Sequence, residues 1–286
     1  MRIVSNRLKD IIKFAKQELA DIYTENECRS LALMLLEHYV QISPAVVLAS
    51  PEATINESDL LKINFAIKDL RNHKPIQYIL GQTTFCGLTL KVNEDVLIPR
   101  PETEELVGII VKENQNRAVK IADLGCGSGC ISLALAHLLP AAEVTGFDIS
   151  EKAIEVARFN AAELGINVRF ECKDILKADF TDEKFDIIVS NPPYVRELEK
   201  QQMKANVLNY EPHQALFVPN DNPLKFYQSI AAFSSKNLNS KGKIYLEINE
   251  NLSNQTAFVF SQCSHKVEIM RDLFNRKRFL IVEKAG

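Results

Sequence analysis

The stretch IADLGCGSGCISLAL, residues 121–135, decides the fold. A short apolar run ends in a carboxylate, a glycine-rich turn follows, and a longer apolar run with helical spacing begins. Strand, tight turn and helix in that order form the opening half of a βαβ unit. Gly125, Gly127 and Gly129 let the backbone turn sharply and come close to a ligand. The unpaired N–H groups at the start of the helix favour an anion or a carboxylate there. The spacing is G-x-G-x-G, neither the dinucleotide G-x-G-x-x-G nor the phosphate-binding G-x-x-x-x-G-K, and no lysine follows Gly129. A nucleoside triphosphate is thereby disfavoured, and a mononucleoside ligand is favoured over a dinucleotide. Taken alone, the glycines also fit a tight turn that binds nothing.

Downstream, the same alternation continues. AEVTGFD (142–148) reads as a strand and SEKAIEVARFNAAEL (150–164) as a helix with Ser150 as its N-cap. VRFEC (168–172) and FDIIVS (185–190) are strands. After a long loop come a helix at 222–238, the strand GKIYLEI (242–248) and a helix at 251–263. The strands KVEIM (266–270) and RFLIVEK (278–284) close the chain. This order predicts an α/β fold with a doubly wound, mostly parallel sheet.

Upstream, the character changes. Residues 1–74 read as helical: Leu8, Ile11, Ile12, Ala15 and Leu19 recur at helix spacing, as do Leu31, Met34, Leu35 and His38. SPAVVL breaks the pattern at Pro44, and NESDLLKINFAIKDL (56–70) restarts it with Asn56 or Ser58 as the cap. QYILGQTTF (77–85) and LTLKV (88–92) read as strands on either side of Cys86-Gly87. In LIPRPETEELV (97–107), Pro99 and Pro101 hold Arg100 extended, and PETEELV opens a helix with acids in its first turn. The expected organisation is a helical domain at 1–74, a β-hairpin linker at 75–98 and an α/β domain at 99–286.

Composition excludes several classes. With 286 residues, 46% hydrophobic and 25% charged, the chain can bury a sizeable core. Its net charge of −3, with 10 basic and 10 acidic residues in the first 74, gives no electrostatic case for broad nucleic-acid binding. No apolar run approaches the length of a membrane span, and MRIVSNRLKD has no signal-peptide core. The cysteines Cys28, Cys86, Cys126, Cys130, Cys172 and Cys263 form no CxxC pair and read as reduced thiols in a cytoplasmic protein. Cys126 and Cys130 straddle the glycine loop without a third and fourth ligand, so they read as packing rather than zinc ligands. The scattered histidines suggest neither a metal nor a triad.

Three further features fall at the C-terminal ends of the expected parallel strands, where open α/β sheets bind ligands. Asp148 ends the second strand and can accept both hydroxyls of a ribose. Asp174 follows the third strand, with Ile175 placed to flank a flat base. Each acid alone also fits an ordinary strand-end cap. In IVSNPPYV (188–195), Asn191 ends the fourth strand. Pro192 forces Asn191 toward extended geometry, and Pro193 does the same to Pro192. The Asn191 amide and the Pro192 carbonyl then become two converging acceptors suited to a substrate –NH2. Receiving both hydrogens from fixed directions pulls a conjugated nitrogen toward a tetrahedral shape and frees its lone pair for an activated electrophile such as a sulfonium methyl. Losing one such positioning hydrogen bond costs about 2–4 kcal/mol of barrier, by analogy with oxyanion-hole donors. Tyr194 supplies an aromatic wall and a hydroxyl. A bare N-P-P tripeptide also fits a rigid loop.

DLGCGSG with NPPY resembles S-adenosylmethionine-dependent methyltransferases that act on exocyclic or amide nitrogen. LIPRPETEELV, the leading helical domain and the hairpin narrow the resemblance to the protein-glutamine methyltransferases that modify peptide chain release factors. It runs over nearly the whole chain. It implies a Rossmann-like methyltransferase sheet and S-adenosylmethionine over Asp123, Gly125, Cys126, Gly127, Ser128 and Gly129, reaching Asn191. Ribose would lie on Asp148, and Asp174 and Ile175 would border the adenine. KDIL (173–176) stands where an aromatic after the acid is frequent in the family. Asn191, Pro192, Pro193 and Tyr194 would hold the glutamine of a release factor's Gly-Gly-Gln, with Asn191, Pro192 and Tyr194 as the catalytic set. The helical domain would grip the release factor, and the protein would be a cytoplasmic monomer. The alternatives are an adenine-N6 DNA methyltransferase, a methyltransferase for a ribosomal-protein glutamine, and a non-catalytic S-adenosylmethionine sensor. Arg100 could face the site or brace the linker through Glu102 or Glu104. Glu211 reads as shaping a loop and Glu247 as capping a strand. The cluster at Arg271, Arg276, Lys277 and Arg278 reads as a solvated hairpin edge.

Overall fold

A computed structural model describes residues 5–177, 181–262 and 265–284, and the chain divides into two units, Met1–Gly81 with Lys204–Tyr210, and Gln82–Met203 with Glu211–Gly286. The first unit holds α1 (Leu8–Leu19), α2 (Glu25–Val40), α3 (Pro44–Ala49), α4 (Glu57–Arg71) and α5 (Ile76–Leu80). Its core is Leu8, Ile11, Ala15 and Leu19 of α1 against Cys28, Ala32, Leu35 and Leu36 of α2 and Ile63 and Ile67 of α4. Of the expected Leu31, Met34, Leu35 and His38 stripe, Leu35 is buried and Leu31 packs against the core, but Met34 is exposed and the buried face runs through Cys28, Ala32 and Leu36 instead. Asn56 caps α4 by accepting the Asp59 N–H at 2.8 Å. Pro44 starts a helix rather than only breaking one, because a proline at the first helical position gives up no hydrogen bond. QYIL, expected as a strand, forms α5: Pro75 begins the turn, Gly81 at φ +69° ends it, and Ile76, Ile79 and Leu80 pack on the helical core.

The second unit opens with the hairpin β1 (Gln82–Phe85) and β2 (Leu88–Lys91), whose turn is Cys86-Gly87 as expected. Then come α6 (Pro101–Asn114), β3 (Lys120–Leu124), α7 (Cys130–Leu138), β4 (Glu143–Asp148), α8 (Glu151–Leu164), β5 (Arg169–Cys172) and β6 (Phe185–Ser190). The segment expected as a long loop is built: β7 (Val195–Arg196) pairs in parallel with β8 (Phe217–Val218), and between them in the chain come a 3-10 turn and α10 (His213–Leu216) of this unit and α9 (Ala205–Tyr210) of the first. The chain ends with α11 (Lys225–Asn237), β9 (Leu238–Glu247), α12 (Ser253–Ser261), β10 (His265–Arg271) and β11 (Lys277–Lys284). Cys263 lies outside the described residues.

The seven-stranded sheet runs β10-β11-β9-β6-β3-β4-β5, parallel from β9 to β5 and antiparallel at β11 and β10. Side chains alternate across it. Ile121, Ile187, Val189 and Tyr245 face one core with α6, α7 and α8, while Ala122, Leu124, Ile188, Ile244 and Leu246 face the other with α11 and α12. Burial on both faces explains why β3 and β6 read as near-continuous apolar runs. Each fully buried Ile or Leu stabilises the fold by about 1.5–3 kcal/mol. The strand order reverses between β3 and β6: the chain proceeds from β3 outward to β4 and β5, then returns to β6 on the other side of β3. That reversal opens a crevice at the C-terminal ends of β3 and β6. Ser190, at the end of β6, donates its hydroxyl to the Leu124 carbonyl at 2.5 Å and ties the crevice floor together.

Candidate active site

A cavity of about 310 Å3 lies at this crevice, within the range of small-molecule sites. Of the residues singled out from the sequence, Gly125, Gly127, Asp148, Asp174, Ile175, Asn191 and Pro193 line it. Asp123, Cys126, Ser128 and Gly129 do not; they form the floor under the loop, and Asp123, Cys126 and Ser128 are buried. Pro192 is buried, and Tyr194 packs against the second core cluster rather than lining the cavity.

The glycine loop is set by backbone geometry. Gly125 and Gly127 have φ of +79° and +53°, and a Cβ on either would meet nothing within 4 Å, so their left-handed backbone faces open space. Gly129 differs. At φ +80° its missing side chain is replaced by the Phe170 ring, Ala157 and Leu133, which pack against the loop from behind. Asn160, buried on α8, donates to the Ser128 carbonyl at 2.9 Å and pairs with both backbone groups of Lys91, so one amide clamps loop and hairpin together.

Asp148 accepts the Gly127 N–H on Oδ2 and the Ser150 N–H on Oδ1, both at 2.9 Å. Each carboxylate oxygen has two lone pairs, so one remains on each for a diol. Burial raises its pKa, and the surrounding backbone N–H groups of Ser150, Gly127 and Ile149 oppose the rise. Asp174 accepts the Leu176 N–H at 3.0 Å, which shapes the turn carrying Ile175 and Leu176 into the cavity wall. Asp123 is fully buried. Its Oδ2 accepts both the N–H (3.1 Å) and the hydroxyl (2.5 Å) of Ser132, and burial pushes it up to about 7. Among the described residues its Oδ1 has no hydrogen-bond partner.

Asn191 donates its Nδ2 to the Thr103 hydroxyl at 3.2 Å, which leaves Oδ1 as the free acceptor of the amide. Thr103 donates to Glu247 Oε2 and the Tyr194 hydroxyl donates to Glu247 Oε1, each at 2.8 Å. Burial raises the pKa of Glu247; the Thr103 and Tyr194 hydroxyls and Arg278 oppose it. The Tyr194 hydroxyl is therefore committed to a buried carboxylate rather than offered to a ligand.

The segment IPRPETEE proves to be a junction. Arg100 pairs with Glu211 at 2.6 Å, not with Glu102 or Glu104, and the buried Glu211 carboxylate also accepts the Ile98 N–H at 3.2 Å. Thr103 reaches Glu247, Glu104 accepts the Cys86 N–H of the hairpin turn at 2.8 Å, and Glu105 accepts the Leu273 N–H at 3.1 Å. Nothing in the local sequence marks Thr103 or Asn160 as site residues, or Glu247 as more than a strand cap, because their partners lie 32 to 144 positions away. The basic hairpin forms its turn around the buried Asp272, which accepts the Phe274 and Arg276 N–H groups and Arg278 Nε.

The residues present fit S-adenosylmethionine: an open left-handed glycine loop for the amino-acid end, paired free lone pairs on Asp148 for the ribose, and Ile175 and Leu176 for a flat base.

Comparison with known proteins matches residues 115–280 to a family described as methyltransferase domain and residues 10–81 to one described as PrmC N-terminal domain. The chain is 42% identical over 271 residues to the release factor glutamine methyltransferase of Flavobacterium psychrophilum, covering 93% of this chain and 95% of the relative. It is 39% identical over 276 residues to that of Bacteroides thetaiotaomicron, covering 96% and 99%. Among solved structures, a methyltransferase from Pyrococcus furiosus shares the fold at a TM-score of 0.53 and 21% identity, covering 70% of this chain and 90% of that one.

Proposed function

This chain belongs to the release factor glutamine methyltransferases, and from that premise we propose that it methylates the side-chain amide nitrogen of the glutamine in a release factor's Gly-Gly-Gln. The observation that carries this reading is the free Oδ1 of Asn191 in the same cavity as Gly125, Gly127 and Asp148.

Bound S-adenosylmethionine supplies an electrophilic methyl group on a sulfonium sulfur. Gly125, Gly127, Asp148, Asp174 and Ile175 hold that cofactor, with Asp123, Cys126, Ser128 and Gly129 fixing the loop beneath. Asn191 Oδ1 and the Pro192 carbonyl receive the two N–H groups of the incoming amide. An amide lone pair is conjugated, so both acceptors act by favouring the pyramidal nitrogen that only the transition state has. No general base is required until the nitrogen has lost its lone pair to the new bond; the proton can then leave to water. Pro193 closes the wall beside the nitrogen. Tyr194 acts through Glu247 and through packing. The helical unit, Met1–Gly81 with Lys204–Tyr210, grips the body of the release factor, and the hairpin of β1 and β2 opens the catalytic unit. The exposed Leu48 and Phe65 of the helical unit, in a charge-neutral setting, suit a protein surface better than a phosphate backbone.

The test is transfer of labelled methyl from S-adenosylmethionine to a purified release factor, with ribosomal proteins and duplex DNA as parallel acceptors. Label on the Gly-Gly-Gln glutamine, abolished by Asn191→Ala, is the expected result. Label confined to DNA or to a ribosomal protein overturns the assignment.

A further inference from the structure

An asparagine amide can occupy its site in two ways that differ by exchange of oxygen and nitrogen, with nearly the same shape. Only one of them presents an acceptor to an incoming –NH2. Nothing within residues 188–195 selects it. We propose that Thr103 and Glu247 are positioning residues that select it, by leaving Thr103 with no proton to give Asn191.

The argument is a count of protons. A threonine hydroxyl has one hydrogen and two lone pairs, and an ionised carboxylate only accepts. Glu247 Oε2 lies 2.8 Å from Thr103 Oγ, so the single Thr103 proton points at the carboxylate. Toward Asn191, 3.2 Å away, Thr103 can then only accept, and Asn191 must turn its –NH2 inward. Its Oδ1 is left for the cavity. The carboxylate itself cannot turn from this duty, because its other oxygen is held by the Tyr194 hydroxyl at 2.8 Å and Tyr227 anchors the Glu247 backbone carbonyl at 3.0 Å. Arg278 keeps a positive charge near the ionised form, against Glu102 and burial. If an amide replaced the carboxylate, it could donate to Thr103 Oγ. The Thr103 proton would then be free to point at Asn191, the amide would flip, and two –NH2 groups would face each other. The inference deepens the proposed amide methylation and rests on it for its functional consequence, though the orientation itself is independent of the acceptor.

Thr103→Val removes the hydroxyl, and Glu247→Gln reverses its direction with almost no change of shape. Each is expected to lower kcat roughly 100-fold, the effect of losing one oriented contact to the transition state, while S-adenosylmethionine affinity stays within about twofold, since neither residue lines the cavity. Thr103→Ser, which keeps the hydroxyl, recovers most of what Thr103→Val loses. The double variant is no slower than Thr103→Val alone, because Glu247 acts only through Thr103. A second readout needs no turnover: the 15N-labelled side-chain amide of Asn191, identified by its loss in Asn191→Ala, shows one exchange-protected proton in the wild type and in Thr103→Ser. That protection is lost in Thr103→Val and Glu247→Gln. Wild-type kcat in a folded Thr103→Val or Glu247→Gln protein, or an unchanged Asn191 signal in both, overturns the proposal. If Thr103→Val does not fold, the isosteric Glu247→Gln decides. Should no variant, nor the wild type, methylate a release factor, the function reading fails while the amide signal still decides the orientation.

Discussion

Replacing Asp123 with asparagine should make this protein more stable at alkaline pH and nearly unaltered at acid pH. The carboxyl sits at the end of β3 with no exposure, one oxygen on the two Ser132 donors and the other without a partner. Burial moves it from its ordinary 3.8 to about 7. Between those values the folded chain keeps a proton that the unfolded chain has released, so stability falls as pH rises through the window. The shift is worth about 4 kcal/mol once pH exceeds the folded value, at about 1.4 kcal/mol for each tenfold change in proton affinity. Asparagine keeps an acceptor for Ser132 and cannot ionise. Its –NH2 takes the place of the unpartnered oxygen, an unsatisfied group costing about 1–3 kcal/mol, comparable to the unpartnered hydroxyl of the protonated acid. Near parity is therefore expected only below the unfolded value of 3.8, an advantage of about 1–2 kcal/mol for Asp123→Asn at pH 5, and about 4 kcal/mol at pH 8. Urea unfolding of both proteins at those two pH values, on either side of the pI of about 6.0, measures it. Subtracting the curves removes the contributions of Asp148 and Glu247, whose pKa values are also raised. Parallel stability–pH curves for the two proteins would refute the reasoning.

The other expectations are separable. Gly129→Ala puts a Cβ 2.9 Å from the Phe170 ring in a left-handed backbone and should cost about 2–4 kcal/mol of stability, read by urea unfolding. Gly125→Ala meets open space, so its cost is the backbone term alone, about 1–2 kcal/mol, with a larger loss in S-adenosylmethionine affinity by calorimetry. Asp148→Ala, which removes the two free lone pairs, should weaken S-adenosylmethionine roughly 10–100-fold by calorimetry at two hydrogen bonds of about 1 kcal/mol each or more; unchanged affinity would remove Asp148 from the site. Glu211→Gln uncouples a carboxylate that is buried from an Arg100 that is one-third exposed, and should destabilise the catalytic unit by about 1–3 kcal/mol, below the full figure for a buried pair because water can reach Arg100.

The sequence by itself determined the layered α/β fold, the glycine loop and the cofactor's nucleoside character. These rest on periodicity and on local spacing: G-x-G-x-G dictates backbone angles within five residues, and Asn191-Pro192-Pro193 restricts its own dihedrals. It also placed Gly125, Gly127, Asp148, Asp174, Ile175 and Asn191 at one sheet edge, because parallel strands all end on the same side. It misread QYIL, where packing against the helical core outweighs strand propensity, and it left the segment between β6 and α11 as a loop, since β7 and β8 pair only with each other. Tertiary structure alone decided which way the Asn191 amide faces, that Tyr194 serves Glu247, and that Arg100 answers Glu211. Those outcomes depend on hydroxyl protons and carboxylates brought within 3.2 Å across as many as 144 residues of chain. A hydrogen bond has a direction only when both partners are in place, and no sequence pattern records who donates to whom.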